Sequence, residues 1–508
     1  MRTKKATVNI LFGFLGMLVT TFMGFISSSL FARNLGVEIS GLNNLLLNIV
    51  SFLSVTELGI AGAINFNLYK PVAEKDYDTV SKIMTFYRKC YTIIGTVIAV
   101  VALIMSPFVR YLIKDTTLSN LYIQTTFLLC AANSVLSYFL AYNRNLLYAF
   151  QDNYLSSLVD LCFRIFFTAL QIVSLIKLQN FHLHLFLNLI YTLITNIIIT
   201  AVTKKRYSKV NTSCKSKDKK LERKVMSDVK SLAVIQVGSA MINFTDSIII
   251  SKAIGIIIAG MYSYYATLIQ ILTNLINTVF SNLGASIGNL LAEDEKNNIR
   301  RVFDILTHFC FILGLILASG MGNAVEPFIV FWVGKEFVID YSVVFILAVN
   351  FYIMVQRQVV TYFLRTGGHH RLLVRPLIIE AVINLVISII LAVKVGLIGV
   401  FIGTVVSAIV GWILNSKTLC EVFSFNLKKY LSNQLMYMAV FIGGLIISHF
   451  VIDWLNLQCG YFIRFIISGS IAITIPVIVA ITDILFNPIL LSIKEMIRNL
   501  ILKICRKT

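Results

Sequence analysis

Charged residues are scarce in this sequence: they make up 13% of its 508 residues, whereas 57% are hydrophobic and the mean hydropathy is +0.83. A soluble protein has too little interior to hide that much apolar surface. The scarcity of charge therefore excludes a soluble fold and predicts an all-α polytopic membrane protein. The net charge of +20 would suggest a nucleic-acid partner in a soluble chain. Here the basic residues lie in short loops between apolar runs, so no nucleic acid is predicted.

Paired cysteines and a cleavable leader are also missing. The eight cysteines are scattered and form no C-x-x-C pair, so the sequence predicts no disulfide framework, no metal site and no cofactor. The first apolar run continues to about Ala32 without an A-x-A cleavage pattern, which predicts an uncleaved first span. The longest outward loop, about 320–338, is too short to hold an acceptor sugar. This excludes a membrane polysaccharide polymerase and predicts a transporter rather than an enzyme.

Apolar runs long enough to cross a bilayer predict about fourteen transmembrane helices. The runs lie at 8–32, 42–66, 90–109, 120–142, 154–177, 182–202, 231–251, 258–288, 303–325, 339–364, 376–394, 396–416, 432–453 and 461–486. The predicted domains are a six-helix bundle (1–202), a basic cytoplasmic linker (203–230), a second six-helix bundle (231–420), helices 13 and 14 (421–486), and an amphipathic cytoplasmic tail (487–508).

The basic residues are distributed asymmetrically between the two sides of the membrane. If the N-terminus is inside, 34 of the 44 Lys and Arg residues fall in inward segments, 7 in outward loops and 3 within apolar runs. This asymmetry predicts that both termini are cytoplasmic. The lysines of the linker 203–230 are predicted to contact anionic lipid headgroups.

One glycine pattern occurs twice. Arg33, Gly36 and Gly41 lie between the first two apolar runs, and Lys252, Gly255 and Gly260 repeat the same spacing 219 residues later (255 minus 36). Both sets lie at the same joint of a predicted bundle. The spacing therefore predicts a duplicated bundle, the construction that many secondary transporters use.

Several predicted helices carry polar stripes at helical spacing. The residues are Gln270, Asn274 and Asn277 in run 258–288, Asn243 and Asp246 in run 231–251, and Asn44 and Asn48 in run 42–66. Polar groups that face lipid are costly, so each stripe must face protein or a wet cavity. Interhelical hydrogen bonding explains a single Asn. The matching stripes of the second bundle favour a substrate cavity lined by Asp246, Asn243, Gln270, Asn274 and Asn277.

Charged residues within the apolar runs are the other candidates for a binding site. Asp160 and Arg164 lie four residues apart and either neutralise each other or serve a cavity. Arg357 has no acid near it in sequence, so water, a partner helix or an anionic ligand must compensate its charge. The acids that could pair with it are Glu57, Asp246 and Glu380. Glu57, Asp160 and Glu380 are also candidates to bind a coupling ion, H⁺ or Na⁺, or to act as structural acids.

Four segments resemble the bacterial polysaccharide repeat-unit flippases of the multidrug/oligosaccharidyl-lipid/polysaccharide exporter superfamily. They are TELGIAGAINFNLYKPVAEKDYDTVSKIMTFYRK (56–89), FTDSIIISKAIG with GMYSYYATLI (244–269), ASIGNLLAEDE (285–295) and PLIIEAVINLVISIILAVKVGLIGVFIGTVVS (376–407). The resemblance implies two six-helix bundles around a cationic cavity, with two further helices. It implies a substrate, undecaprenyl-pyrophosphate-linked oligosaccharide, that is turned from the cytoplasmic to the outer leaflet of a bacterial cell membrane. It implies that Arg164 and Arg357 bind the pyrophosphate, and it is compatible with association with a polysaccharide polymerase.

Two other members of the same superfamily remain alternatives. A cation-coupled multidrug antiporter would share the fold but usually has twelve helices. A lipid-linked peptidoglycan precursor flippase would have fourteen helices as well. It is mainly the resemblance that separates this second alternative from a repeat-unit flippase.

Overall fold

The regular structure of the protein is helical wherever it is described. It is a computed structural model, and it describes residues 2–212, 226, 244–292, 296–456 and 458–486. Twelve helical stretches of this part are long and apolar enough to cross a membrane, so the protein is a multi-pass membrane protein. The predicted run 8–32 and the first part of the run 42–66 form one helix with an internal break that ends at Leu53, and the rest of the run 42–66 lies in the next helix, Val55–Glu74. The run 231–251 lies mostly outside the described residues. The count of fourteen helices therefore stays a prediction.

The chain divides into two units, Met1–Gly260 and Met261–Thr508. The first unit contains α1 (Arg2–Leu53), α2 (Val55–Glu74), α3 (Tyr77–Met105), α4 (Asn120–Ala149), α5 (Tyr154–Lys177) and α6 (Phe181–Arg206). The second unit contains most of α7 (Ile256–Ala292), together with α8 (Lys296–Trp332), α9 (Tyr341–Thr366), α10 (Val374–Val395), α11 (Leu397–Phe423), α12 (Leu427–Trp454) and α13 (Tyr461–Phe486). The predicted domain boundaries stay a prediction, because most of the linker 203–230 and the whole tail 487–508 lie outside the described residues.

A glycine in a left-handed conformation breaks α1. Gly36 has φ 79° and ψ −179°, a backbone region that glycine enters without the steric cost that a Cβ would bring. Helix then resumes, and Ser40 donates its hydroxyl to the carbonyl oxygen of Gly36 at 2.9 Å. The predicted turn between the first two apolar runs is therefore reduced to a single non-helical residue.

The segment 67–89, predicted as a loop after the second apolar run, is helical almost throughout. The chain turns only at Lys75, whose φ is 59°, and Asp76 then caps α3 by accepting a hydrogen bond from the Thr79 amide at 3.0 Å. Tyr87 and Tyr91 of α3 are buried and pack edge to face, with their ring centroids 4.4 Å apart. Burial of such aromatic side chains stabilises helix in a segment that lies between two apolar runs.

A tight hairpin joins α10 to α11. Its turn consists of Gly396 at φ 76°, which confirms that the predicted runs 376–394 and 396–416 are separate helices. A Cβ on Gly403 would lie 2.5 Å from Ser388 Oγ, and one on Gly399 would lie 2.3 Å from the Leu391 carbonyl oxygen. Glycine therefore lets the two helices approach more closely than larger residues would allow.

The predicted orientation can be tested by cysteine labelling. In a cysteine-free background of the full chain, a cysteine in place of Asn456 should react with an impermeant thiol reagent added to intact cells. One in place of Ser216, in the basic linker, should react only after the cells are permeabilised. Labelling of both positions in permeabilised cells serves as the control. The opposite pattern would contradict cytoplasmic termini.

Candidate functional site

Arg357 pairs with a carboxylate across two helices of the second unit. Its Nη1 lies 2.6 Å from Oε1 of Glu380, so α9 and α10 are joined by an ion pair. The Glu380 side chain is 4% exposed and that of Arg357 is 26% exposed. Of the three acids that the sequence offered as partners of Arg357, the structure selects Glu380.

A third helix completes the surroundings of this pair. A Cβ on Gly411 of α11 would lie 2.2 Å from Glu380 Oε2, so glycine at this position makes room for the carboxylate. One turn further along α10, the amide of Asn384 donates to Thr404 Oγ1 at 3.2 Å. The pair therefore lies beside a buried polar seam between α10 and α11, and only its arginine is substantially exposed.

The predicted polar stripe on α7 is largely exposed. Gln270, Asn274 and Asn277 are all exposed, and Gln270 Nε2 donates to Asn274 Oδ1 at 3.0 Å within the same helix. Asn277 Oδ1 accepts from Gln358 Nε2 of α9 at 3.3 Å. Interhelical hydrogen bonding thus engages one residue of the stripe, and Gln358, next to Arg357 in sequence, joins the stripe to the helix that carries the ion pair.

Asp160 pairs with a residue that the sequence did not indicate. Its carboxylate accepts two parallel hydrogen bonds from Arg144, Nη1 to Oδ2 at 2.5 Å and Nη2 to Oδ1 at 2.9 Å. Of the two interpretations that the sequence left open, the structure does not show neutralisation of Asp160 by Arg164, because Arg144 is the partner of Asp160. Two parallel hydrogen bonds from a guanidinium match the geometry of a carboxylate. Arg144 lies opposite α5 because α4 continues past the end of its apolar run, at 142, to Ala149.

Arg164 instead stacks on an aromatic ring. Its guanidinium carbon lies 4.5 Å from the centroid of the Tyr191 ring of α6, within the range of a cation–π interaction. Arg144 Nε also donates to Asn196 Oδ1 of the same helix at 3.0 Å. Two arginines of the first unit are thus held by neighbouring turns of α6. The signal for Arg144 was the continued apolar spacing after Tyr142, where Leu146 and Leu147 are buried.

The remaining predicted residues that the structure describes lie on α1, on α2 or near the start of the described part 244–292. Ser247 Oγ accepts from Asn48 Nδ2 at 2.8 Å and from Asn44 Nδ2 at 3.3 Å, so these two amides take part in interhelical hydrogen bonding. Asp246, next to Ser247, is 9% exposed. Asn243 lies outside the described residues, as does the side chain of Glu57.

The repeated glycines form a reciprocal contact within the first unit. A Cβ on Gly41 would lie 2.1 Å from the Ile256 carbonyl oxygen, and one on Gly260 would lie 2.2 Å from the Val37 carbonyl oxygen. The two members of each equivalent pair are 219 residues apart in sequence (256 minus 37, 260 minus 41). The same contact is therefore made twice with the roles exchanged, as a local two-fold axis requires.

The comparison with protein families decides to which family the chain belongs. A model of the family described as "Polysaccharide biosynthesis protein" matches residues 6–283, which is more than half of the chain. The chain belongs to this family. The known proteins that share its fold, described next, are a flippase and multidrug transporters, the class of protein that the sequence predicted. The comparison with curated proteins finds no significant match.

Solved structures share the fold of this polysaccharide biosynthesis family member. A lipid II flippase, MurJ, in an inward closed conformation superposes with a TM-score of 0.66 at 16% identity, covering 94% of this chain and 99% of the flippase. An inward-facing multidrug resistance transporter of the MATE family has a TM-score of 0.66 at 13% identity, covering 81% of this chain and 96% of the transporter. An outward-facing MATE transporter has a TM-score of 0.56 at 14% identity and covers 84% of this chain and 96% of the transporter. The fold is therefore that of the multidrug/oligosaccharidyl-lipid/polysaccharide exporter superfamily.

Proposed function

We propose that the protein flips undecaprenyl-pyrophosphate-linked oligosaccharide repeat units from the cytoplasmic to the outer leaflet for surface polysaccharide assembly. The observation that carries the proposal is the Arg357–Glu380 pair in a member of a polysaccharide biosynthesis family. Arg357 Nη1 donates to Glu380 Oε1 at 2.6 Å. The other N–H groups of the guanidinium, which is partly exposed, can donate hydrogen bonds to a pyrophosphate. Arg164 is the second cation that we assign to the pyrophosphate.

The exposed amides of α7 would serve the sugar part of such a substrate. Gln270, Asn274 and Asn277 each offer both a donor and an acceptor, the combination that sugar hydroxyl groups require. They are exposed, and only Asn277 hydrogen-bonds to another helix. We therefore assign oligosaccharide contacts to this stripe and pyrophosphate contacts to the arginines.

A coupling ion, H⁺ or Na⁺, stays a prediction with fewer candidate sites. Glu380 and Asp160 each accept hydrogen bonds from an arginine, so a cation at either carboxylate would have to displace that arginine. Glu57, whose side chain lies outside the described residues, stays a candidate coupling acid. Cytoplasmic termini, anionic lipid at the linker 203–230 and association with a polysaccharide polymerase are parts of the same proposal.

A peptidoglycan precursor flippase is the second candidate, favoured by one specific observation. The lipid II flippase aligns over 94% of this chain, whereas the inward-facing multidrug transporter aligns over 81%. That breadth supports a lipid-linked substrate over a free drug.

Transport of two labelled substrates by purified full-length protein in proteoliposomes separates these candidates. We expect labelled undecaprenyl-pyrophosphate oligosaccharide in the outer leaflet of the vesicles to become protected from an external glycosidase, at a rate set by the amount of protein. Lipid II in a parallel preparation should not move above the protein-free background. Movement of lipid II alone would establish the second candidate, and movement of neither would contradict both.

A further inference from the structure

A small cavity lies between the first turns of α8 and α12 in the second unit. It has a volume of about 60 Å³. Its lining residues come from two segments, 300–308 of α8 and 425–437 of α12 with its preceding turn: Arg300, Phe303, Asp304, Thr307, His308, Phe425, Asn426, Lys429, Tyr430, Asn433, Gln434 and Tyr437. Both segments begin on the side of the membrane that the charge count predicts to be cytoplasmic. None of these residues belongs to the Arg357–Glu380 pair or to the α7 stripe.

The floor of the cavity is polar and unpaired. Gln434 is 3% exposed, and neither its Nε2 nor its Oε1 has a hydrogen-bond partner among the described residues. Thr307 is 7% exposed, and its hydroxyl likewise lacks a protein partner within that part of the chain. Buried polar groups without partners destabilise a fold, so their retention in a cavity points to a ligand. An amide that can donate and accept, beside a hydroxyl, matches a ligand that carries hydroxyl groups.

The mouth of the cavity is cationic. Arg300 and Lys429 face a single carboxylate, Asp304, whose Oδ2 lies 3.5 Å from Arg300 Nε. The Arg300 guanidinium also lies over the Phe425 ring, 5.1 Å from its centroid. The first turn of α12 adds the partial positive charge of a helix N-terminus, where the Asn426 side chain accepts from the Lys429 amide at 3.0 Å. Two cations, one anion and this helix end together favour a negatively charged group.

We propose that this cavity binds the glycerol phosphate headgroup of an anionic phospholipid such as phosphatidylglycerol in the cytoplasmic leaflet. The phosphate lies at the mouth, against Arg300 and Lys429, and the hydroxyl groups of the terminal glycerol reach Gln434 and Thr307. A volume of about 60 Å³ holds roughly four to six water-sized groups at about 10–15 Å³ each. The cavity therefore admits the end of a headgroup and no acyl chain.

The surface beside the cavity suits the acyl chains that it cannot admit. Leu435 and Met436, next to Gln434 on α12, are 73% and 53% exposed. Phe309 on α8 is 41% exposed. Basic pockets between transmembrane helices on the cytoplasmic side are a known form of anionic headgroup site. This proposal does not depend on which lipid-linked substrate the protein carries.

The test measures binding of dioctanoyl-phosphatidylglycerol to the full-length protein in detergent by native mass spectrometry, with dioctanoyl-phosphatidylcholine as the matched neutral lipid. We expect saturable binding of the anionic lipid only. Lys429→Gln and Gln434→Leu should each weaken it about tenfold, because one charge-assisted or one buried hydrogen bond has that effect. Lys428→Gln is the matched control, since Lys428 is exposed, adjoins Lys429 and does not line the cavity. Melting temperatures of all variants report whether each is folded.

Two further ligands test whether the cavity binds a lipid headgroup or a soluble phosphate ester. Glycerol 3-phosphate that binds as tightly as dioctanoyl-phosphatidylglycerol would indicate a soluble phosphate ester and overturn the assignment to a lipid. Dioctanoyl-phosphatidic acid has the phosphate without the terminal glycerol. The wild type should therefore bind it more weakly than dioctanoyl-phosphatidylglycerol, and Gln434→Leu should bind it as well as the wild type does. Equal binding of phosphatidylglycerol by folded Lys428→Gln, Lys429→Gln and Gln434→Leu would overturn the site itself.

Discussion

Arg357→Ala is expected to lower the amount of folded protein in the membrane severalfold. The substitution leaves the carboxylate of Glu380, which is 4% exposed, without its cation. Breaking a buried ion pair from one side costs about 3–5 kcal/mol, and we expect the lower end because Arg357 itself is 26% exposed. Membrane abundance and melting temperature measure the loss. Arg371→Ala, at an exposed arginine in the turn after α9, should leave both unchanged.

A second substitution separates pairing from substrate binding. The double variant Arg357→Gln/Glu380→Gln removes both charges, and Gln at position 380 fills the same space beside Gly411 as Glu380 does. The amount of folded protein should therefore return to the wild-type level, whereas transport should stay absent. Arg357→Lys keeps a charge for Glu380 but loses the guanidinium fork. It should therefore reach near-normal abundance with only part of the transport rate. Full transport by Arg357→Lys and by the double variant would show that the arginine is structural only.

Gly41→Leu is expected to abolish transport and to lower the melting temperature. Even the Cβ of the new side chain would lie 2.1 Å from the Ile256 carbonyl oxygen and 2.9 Å from the Gly260 amide nitrogen, so α1 and the first turn of α7 must separate. The hydrogen bonds from Thr116 and Thr117 to Glu38, at 2.6 and 2.7 Å, lie one turn away on α1. Transport in proteoliposomes and thermal unfolding measure the effect.

The same helix supplies the matched control. Gly24 has no atom within 4 Å of an added Cβ, so Gly24→Leu should be close to neutral. Gly260→Leu should reproduce the effect of Gly41→Leu, and the double variant should be no worse than either single one, because both remove one reciprocal contact. Additive losses would show that the two glycines act independently.

The sequence predicted features that depend on local backbone chemistry or on unbalanced charge. The glycine at position 36, between two apolar runs, is enough to predict the break there. An arginine within a run is enough to predict that Arg357 needs compensation, and the candidate acids included Glu380. Choosing among those acids requires knowing that α9 and α10 both pack on α11, which the sequence of either helix does not contain.

The sequence did not indicate Arg144 as the partner of Asp160, because the helix that carries Arg144 is longer than the apolar run within it. A run of apolar residues marks the part of a helix that crosses lipid, and the run before α5 ended at 142. The helix continues to Ala149, and Arg144 on that extension reaches Asp160 from a neighbouring helix. The segment 67–89 was assigned to a loop for the same reason, since helix there extends beyond the apolar run.

The order in which the chain is made gives the Arg357–Glu380 pair a role during biogenesis. Arg357 is synthesised 23 residues before Glu380, so α9 meets the translocon while its charge has no partner. An arginine at the centre of an inserting helix costs about 2.5–3.5 kcal/mol on the scale of the translocon. The hairpin of α10 and α11, turning on Gly396 alone, then delivers Glu380 and Gly411 together. Membrane integration of α9 should therefore be completed only when the next two helices have left the ribosome.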